Sequence, residues 1–282
     1  MTTKDDLPYP GSERAPRAGR RGTLVVTLLG LALGLAPGLR SLARADDLSA
    51  DEIAKRMIRG DAFTWESVEA TVRMVLTSKA GKRKERAMVI VGRSKDGLMQ
   101  TRLRFKSPSD VAGTALLMLE RKNEPAEQYI YLSGLRRTRR IVGRERDGSF
   151  MGSDFTYADM QPPAKHHATN KRLGDDKVGS TPTYVIETIM SKDAPNKYSK
   201  TVTWVRKTDF VAMRTRFYDR KGKLHKTLYT RRVKVIDGTT VVVEARMENA
   251  KTGHVTELFV DKVVKKDKMS DLMFTPNSLE HD

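Results

Sequence analysis

From Val68 onward the chain alternates apolar and polar side chains residue by residue, and it returns to that pattern in segment after segment. Val68, Ala70, Val72, Met74 and Leu76 fall on one side, with Glu69, Thr71, Arg73 and Thr77 on the other. Met99, Thr101, Leu103 and Phe105 alternate in the same way against Gln100, Arg102 and Arg104. A period of two suits a strand with one buried and one wet face, and it scatters apolar groups around a helix. Gly81 sits where a hairpin would turn back through Glu85 to Val91. The chain is therefore committed to a mainly β fold.

The rest of the chain extends this reading. Ile53, Met57 and Ile58, with Leu48 and Ala54, form an apolar stripe at helical spacing. Ser49 is placed to cap that helix ahead of Glu52, and Gly60 ends it. Short apolar strands are expected at 115–119 and 128–132, and Pro108 closes the strand before them. Residues 162–178 show no clean period and read as a connection. Strands then resume at 184–190, 201–206, 211–219, 223–236, 240–247 and 255–264. Turns at 219–223, 237–238 and 251–253 join the last four as a meander. Roughly ten or eleven mostly antiparallel strands result, which must curl into a barrel or half-barrel or pack as a sandwich. Met269, Leu272, Met273 and Phe274 are a tail that can fold back on the body.

Residues 24–39 are an almost uninterrupted apolar run, preceded by Arg17, Arg20 and Arg21 and followed by Ala43-Arg44-Ala45. The run is short for a membrane span, and small residues at 43 and 45 suit a signal peptidase. Residues 1–45 are read as a cleaved export signal, and 46–282 as one domain without a Pro/Gly-rich hinge. An uncleaved anchor and a buried core helix are the competing readings, since Arg40 and Arg44 follow the run. Twin-arginine export fits the residues around Arg20-Arg21 poorly. The chain contains no Cys, so packing alone must supply its stability and no Cys-based metal site, thiol chemistry or acylation on an N-terminal Cys is possible.

The formal net charge is +18 over 282 residues. The leader holds seven Lys/Arg and three Asp/Glu, a net +4, so +14 remains on residues 46–282. In an exported protein that charge points to anionic lipid headgroups, cell-surface polyanions or an acidic partner, and away from nucleic acid. Interleaving with Glu and Asp also fits a solvated outer face on many strands.

A search for chemistry is mostly negative. His166 and His167 lack metal-binding spacing, and there is no nucleophile elbow, phosphate loop or dinucleotide fingerprint. Asp209, Asp219 and Asp237 sit at turns, where Asp is favoured structurally. No enzyme, cofactor or metal is expected. The inward faces carry Met74, Met88, Met99, Phe105, Met118, Met190, Met213 and Met247. Such a lining adapts to greasy ligands, and it equally fills a core. The densest signal is Tyr129-Ile130-Tyr131-Leu132, then Leu135 through Ile141 with Arg136, Arg137, Arg139 and Arg140, then Phe150-Met151-Gly152-Ser153-Asp154-Phe155-Thr156-Tyr157-Ala158-Asp159-Met160. Those arginines can clamp carboxylates or phosphates, or form the outward row of a curled sheet.

Over residues 53–257 these segments resemble the outer-membrane lipoprotein-sorting protein family, in its broader LolA-like branch. The Gly-Ser-Asp-Phe-Thr-Tyr-x-Asp block carries most of the likeness. The resemblance implies a periplasmic, incomplete antiparallel β-barrel with short helices as a lid over a hydrophobic cavity. It further implies a non-catalytic carrier of lipid or acylated protein, as a monomer, with an inner-membrane exporter of the resistance-nodulation-division type or an outer-membrane acceptor as partner. The arginine cluster, with Asp154, Phe155 and Tyr157, is then expected at the cavity rim or a partner surface. The alternative is an accessory subunit of an exporter or envelope-signalling complex that binds through an edge strand or basic face and shuttles nothing.

Overall fold

The alternating segments pair into a single antiparallel sheet. The computed structural model describes residues 48–59, 67–122, 124–160, 168–192, 194 and 196–281. Residues 1–45, read as an export signal, and His166 and His167 lie outside them. Met1–Leu48 and Ser49–Asp282 form separate units, and the second contains everything below.

The first half of the sheet holds β1 (Ser67–Thr77), β2 (Arg83–Lys95), β3 (Leu98–Ser107), β4 (Ala115–Arg121), β5 (Glu124–Leu132) and β6 (Arg137–Arg140). The second holds β7 (Ala168–Val178), β8 (Thr181–Met190), β9 (Tyr198–Arg206), β10 (Ala212–Asp219), β11 (Leu224–Ile236), β12 (Thr239–Asn249) and β13 (Val255–Lys265). The spatial order runs β6-β5-β4-β3-β2-β1-β13-β12-β11-β10-β9-β8-β7. Each half is a meander, and β1 pairing with β13 joins them, with Val72 opposite Val260 and Met74 opposite Leu258. Because β6 and β7 are edges that do not pair, the sheet curls without closing, as an incomplete barrel.

The thirteen strands exceed the ten or eleven expected. One addition is β7, which falls in the stretch read as a connection. It is an edge strand, most of its side chains are exposed, and a bulge interrupts its register between Arg172 and Gly174. Neither face is continuously apolar, so no period shows. The other is β6, whose arginines fall on both faces. The expected hairpins do form. Gly81 lies in the β1–β2 turn at φ +82°, and Asp237-Gly238 turns β11 into β12 with both residues at positive φ.

The helix α1 (Ala50–Arg59) begins where its cap was expected, with Ser49 Oγ accepting the Glu52 amide hydrogen at 3.2 Å. Its buried stripe is Ala50, Ile53 and Ala54, with Ile53 fully buried.

Register defines two faces. The inner face of the first half carries Val72, Met74, Leu76, Met88, Leu103, Phe105, Leu116 and Ile130 in one core cluster, into which Phe150 and Ile141 insert. The outer face of β2–β5 carries Val91, Ala115, Leu117 and Leu119, covered by Phe274 and Leu279 of the tail with Met269 and Met273 against them. These strands are thus buried on both sides. The tail is held by the polar row of β2 and β3. Arg93 donates to the Met269 carbonyl at 2.8 Å and lies over the Phe274 ring, and Arg104 donates to the Leu279 and His281 carbonyls at 2.8 and 2.6 Å.

Candidate functional site: the inner face of the sheet and its two covers

Two different elements cover the inner face. Over the first half lies the segment 149–160, which contains the Gly-Ser-Asp-Phe-Thr-Tyr-x-Asp block. It folds as a miniature hairpin: Ser149 bridges Thr156, and the Phe150 amide donates to the Phe155 carbonyl at 2.8 Å. The Ser153 amide closes the turn on the Phe150 carbonyl, and Met151 and Gly152 at the tip have φ of +49° and +74°. Two successive left-handed residues are what a tight hairpin tip needs, and the glycine takes that conformation without steric cost. The hairpin drives Phe150 into the core, where it stacks on Phe105 at 5.6 Å and meets the Tyr157 edge at 5.6 Å. A 3₁₀ turn, Tyr157–Met160, follows.

Two aspartates fasten this plug to the second half of the sheet. The Asp154 carboxylate accepts from Thr256 Oγ1 at 2.8 Å and Asn249 Nδ2 at 3.2 Å, and bonds His254 Nδ1 at 2.6 Å. The Asp154 amide in turn donates to Thr256 Oγ1 at 2.9 Å. Asp159 accepts from Tyr198 Oη at 2.9 Å and the Thr156 amide at 2.6 Å, and pairs with Lys226. Lys226 also donates to the Asp154 carbonyl at 2.7 Å, and its ammonium lies 5.4 Å from the Tyr198 ring centre and 5.2 Å from that of Phe217. Only 1% of the Lys226 side chain and 3% of Asp159 are exposed. Burial pushes the Lys226 ammonium down from its ordinary value, and the Asp159 charge opposes that. Burial, reinforced by Asp159, pushes the Tyr198 hydroxyl far up.

This network holds the segment in place and is not set up to activate a nucleophile. In a nucleophilic triad the histidine stands between hydroxyl and carboxylate. Here Asp154 stands between Thr256 and His254, and Thr256 is fully buried. No group of three or more His, Cys, Asp or Glu among the described residues is placed to hold a metal ion.

The second half is covered differently. By register its inner face carries Tyr184, Ile186, Val205, Met213, Leu228 and Met247, interspersed with Thr188, Thr201, Thr203, Thr215 and Thr230. α1 packs on the β7–β8 end of this face. Its ties to the sheet include Asn170 Nδ2, which donates to Asp51 at 2.9 Å, and the Arg56 guanidinium, which lies over the Phe210 ring at 5.1 Å. Phe210 in turn stacks on Tyr184.

The methionines expected on the inner face are divided between these regions. Met74, Met88 and Phe105 are buried in the plugged half with Met118 against them, in the packing of a filled core. Met213 and Met247 are buried on the inner face of the second half. Met99 and Met190 are half-buried near strand ends. Asp154 and Tyr157 belong to the plug, and Phe155 is half-buried beside them. The arginine run does not form one patch, because Arg136 is a left-handed turn residue and β6 turns alternate side chains to opposite faces. Arg139 lies opposite Ile130 and pairs with Glu145 at 2.8 Å. Arg140 lies opposite Tyr129 and meets Glu127 at 3.3 Å. Sequence reasoning missed Tyr198, Lys226, His254 and Thr256 as partners of the motif. The one available signal was Lys226, which stands on β11 in phase with Leu228 and Thr230.

Comparisons with known proteins agree with this architecture. A family model described only as an uncharacterized protein matches residues 97–281. No curated protein matches the chain. Among solved structures, one from Vibrio parahaemolyticus named for an outer membrane lipoprotein-sorting protein domain is 30% identical. The match covers 82% of this chain and 97% of that one, with a TM-score of 0.76. A DUF1329 family protein from Desulfovibrio piger is 27% identical over 80% of this chain and 96% of its own, with a TM-score of 0.75. A LolA superfamily protein from Nitrosomonas europaea shares the fold at 18% identity and a TM-score of 0.65, over 82% and 99% of the two chains. The chain belongs to the outer-membrane lipoprotein-sorting protein family.

Proposed function

We propose that this protein is a non-catalytic carrier of the cell envelope that holds a lipid or an acylated protein on the inner face of β8–β12, beneath α1. Residues 1–45 export it, and 46–282 are the working domain. The observation that carries the reading is the unequal covering of the two halves. The first half is filled by a plug anchored through two buried aspartates. The second is closed at its β7–β8 end by a single ten-residue helix. Moving that helix uncovers the β7–β8 end of the inner face. The name of the Vibrio parahaemolyticus relative supports a lipoprotein-type cargo and an envelope location.

Taking acyl chain out of water yields about 0.8 kcal/mol per methylene, so about ten methylenes supply about 8 kcal/mol. A gain of that size makes spontaneous release slow, so hand-off requires a partner or lid motion. The test is native mass spectrometry of the chain from its own envelope, compared with Ile53→Asp. The carrier reading expects co-purifying lipid or acylated protein on the wild type and depletion on the variant. Ligand-free protein from both would refute it.

A further inference from the structure

At the end of the sheet that bears the β1–β2, β10–β11 and β12–β13 turns lies a cleft of about 480 Å³. Among the described residues its lining holds five cations, Lys197, Arg220, Lys221, Lys223 and Lys251, against one carboxylate, that of Asp219, with His225 in the wall. That carboxylate is fully engaged. It accepts from Lys251 Nζ at 2.9 Å and from the Lys221 and Lys223 amides at 3.0 Å each. Arg220 is engaged too, donating to the Ser191, Ala194 and Asn196 carbonyls at 3.0, 3.1 and 2.8 Å, so it braces the wall. The Lys221 and Lys223 ammonium groups have no ion pair among the described residues, and His225 Nδ1 is buried with no hydrogen-bond partner. Along the same rim a smaller cleft of about 190 Å³ adds Lys82, Lys84, Arg86 and His254.

We propose that the Lys197–Lys251 cleft binds a phosphate group, presented by a lipid headgroup or as free phosphate. Ammonium groups converging on one concavity repel each other, and a multivalent anion relieves that repulsion. Phosphate supplies several acceptor oxygens and matches lysine point charges without needing a guanidinium fork. The charged heads that line the cleft suit a headgroup. The site stands whether or not the inner face carries lipid. Burial, with the charges of Lys197, Lys226 and Lys251, holds the His225 imidazole below its ordinary titration range, against the weaker pull of Asp219. A bound anion reverses the sign of that local field, so His225 reports occupancy.

The experiment follows the His225 ring by NMR in the full chain at 0.15 M NaCl, with His225→Gln for assignment. Inorganic phosphate is titrated first, then vesicles of phosphatidylglycerol in phosphatidylcholine against phosphatidylcholine alone. The expected result is a saturable upward move of the His225 midpoint, weakened at least tenfold in the Lys221→Gln/Lys223→Gln variant. Both lysines are exposed, so that variant keeps its fold, checked by an unchanged melting temperature. Saturation by inorganic phosphate identifies free phosphate as sufficient, whereas a response only to phosphatidylglycerol vesicles identifies the headgroup. No response to either, an equal response to added chloride, or a double variant that titrates like the wild type overturns the proposal.

Discussion

Replacing Lys226 by Met tests whether the motif segment is an anchored plug. The ammonium is 1% exposed and its partner carboxylate 3% exposed, so neither charge is solvated by bulk water. Without Lys226, Asp159 keeps only neutral donors, Tyr198 Oη at 2.9 Å and the Thr156 amide at 2.6 Å. Leaving one member of a buried ion pair uncompensated costs about 3–5 kcal/mol. For a domain of this size each kcal/mol moves the melting temperature by about 2–4 °C, so the expected fall is about 6–20 °C. Asp159→Asn should cost a similar amount. The double variant should fall short of the sum by about 1–3 kcal/mol, as coupled sites do. Chemical denaturation of the four proteins gives the cycle. Hydrogen exchange at the Phe150, Ser153 and Asp159 amides should accelerate before the strands open. A loss below 1 kcal/mol for Lys226→Met, or strict additivity, would refute the anchoring argument.

Four further outcomes are expected. Phe150→Ala removes a ring buried against Phe105 and Tyr157 and should cost about 3–5 kcal/mol by denaturation, while a change below 1 kcal/mol would mean the plug does not fill the core. Phe274→Ala should cost a similar amount and, by lifting the tail from Val91 and Leu117, should increase binding of an apolar dye, whereas unchanged dye binding contradicts the tail's role as a cover. The Asp219 carboxyl, held at about 2 chiefly by Lys251 and by the Lys223 amide, should titrate nearer its ordinary value in Lys251→Ala. Because its folded value is depressed, its stabilisation is complete above about pH 4 and lost as pH falls through about 2, so the wild type and variant should converge there. Changing Arg136, Arg137, Arg139 and Arg140 together to Ser should leave the fold intact, since exposed pairs such as Arg139–Glu145 contribute at most about 1 kcal/mol, and should leave ligand retention unchanged; a loss of retention would move the ligand off the inner face of β8–β12.

Where one face of a strand is buried and the other wet, the residues announce it, and β1, β3 and the β10–β13 meander follow their alternation. That logic fails at β7. An edge strand with mostly exposed side chains has no apolar row to display, and its hydrogen bonds to β8 are invisible in the side-chain pattern. It misleads at Arg93 and Arg104 as well. Their polar row reads as solvated, yet the row grips the tail's carbonyls because β2–β5 are covered on both faces. The motif was legible as important but not as a plug, since its partners Tyr198, Lys226, His254 and Thr256 come from distant strands. Only Lys226, a lysine in an inward register, betrayed that something charged faced it. The methionines were legible as inward-facing. Which of them contact the plug depends on a loop that folds back across the sheet, and strand periodicity carries no information about that.

The central claim is that a lipid or acylated ligand lies on the inner face beneath α1, and native mass spectrometry of the full chain from its own envelope tests it most directly. The account expects a discrete added mass of a lipid or acylated protein, released by detergent and depleted in Ile53→Asp. Ligand-free protein that instead stays joined to a stable protein partner would contradict it and favour an accessory subunit that binds through an edge strand or the basic end.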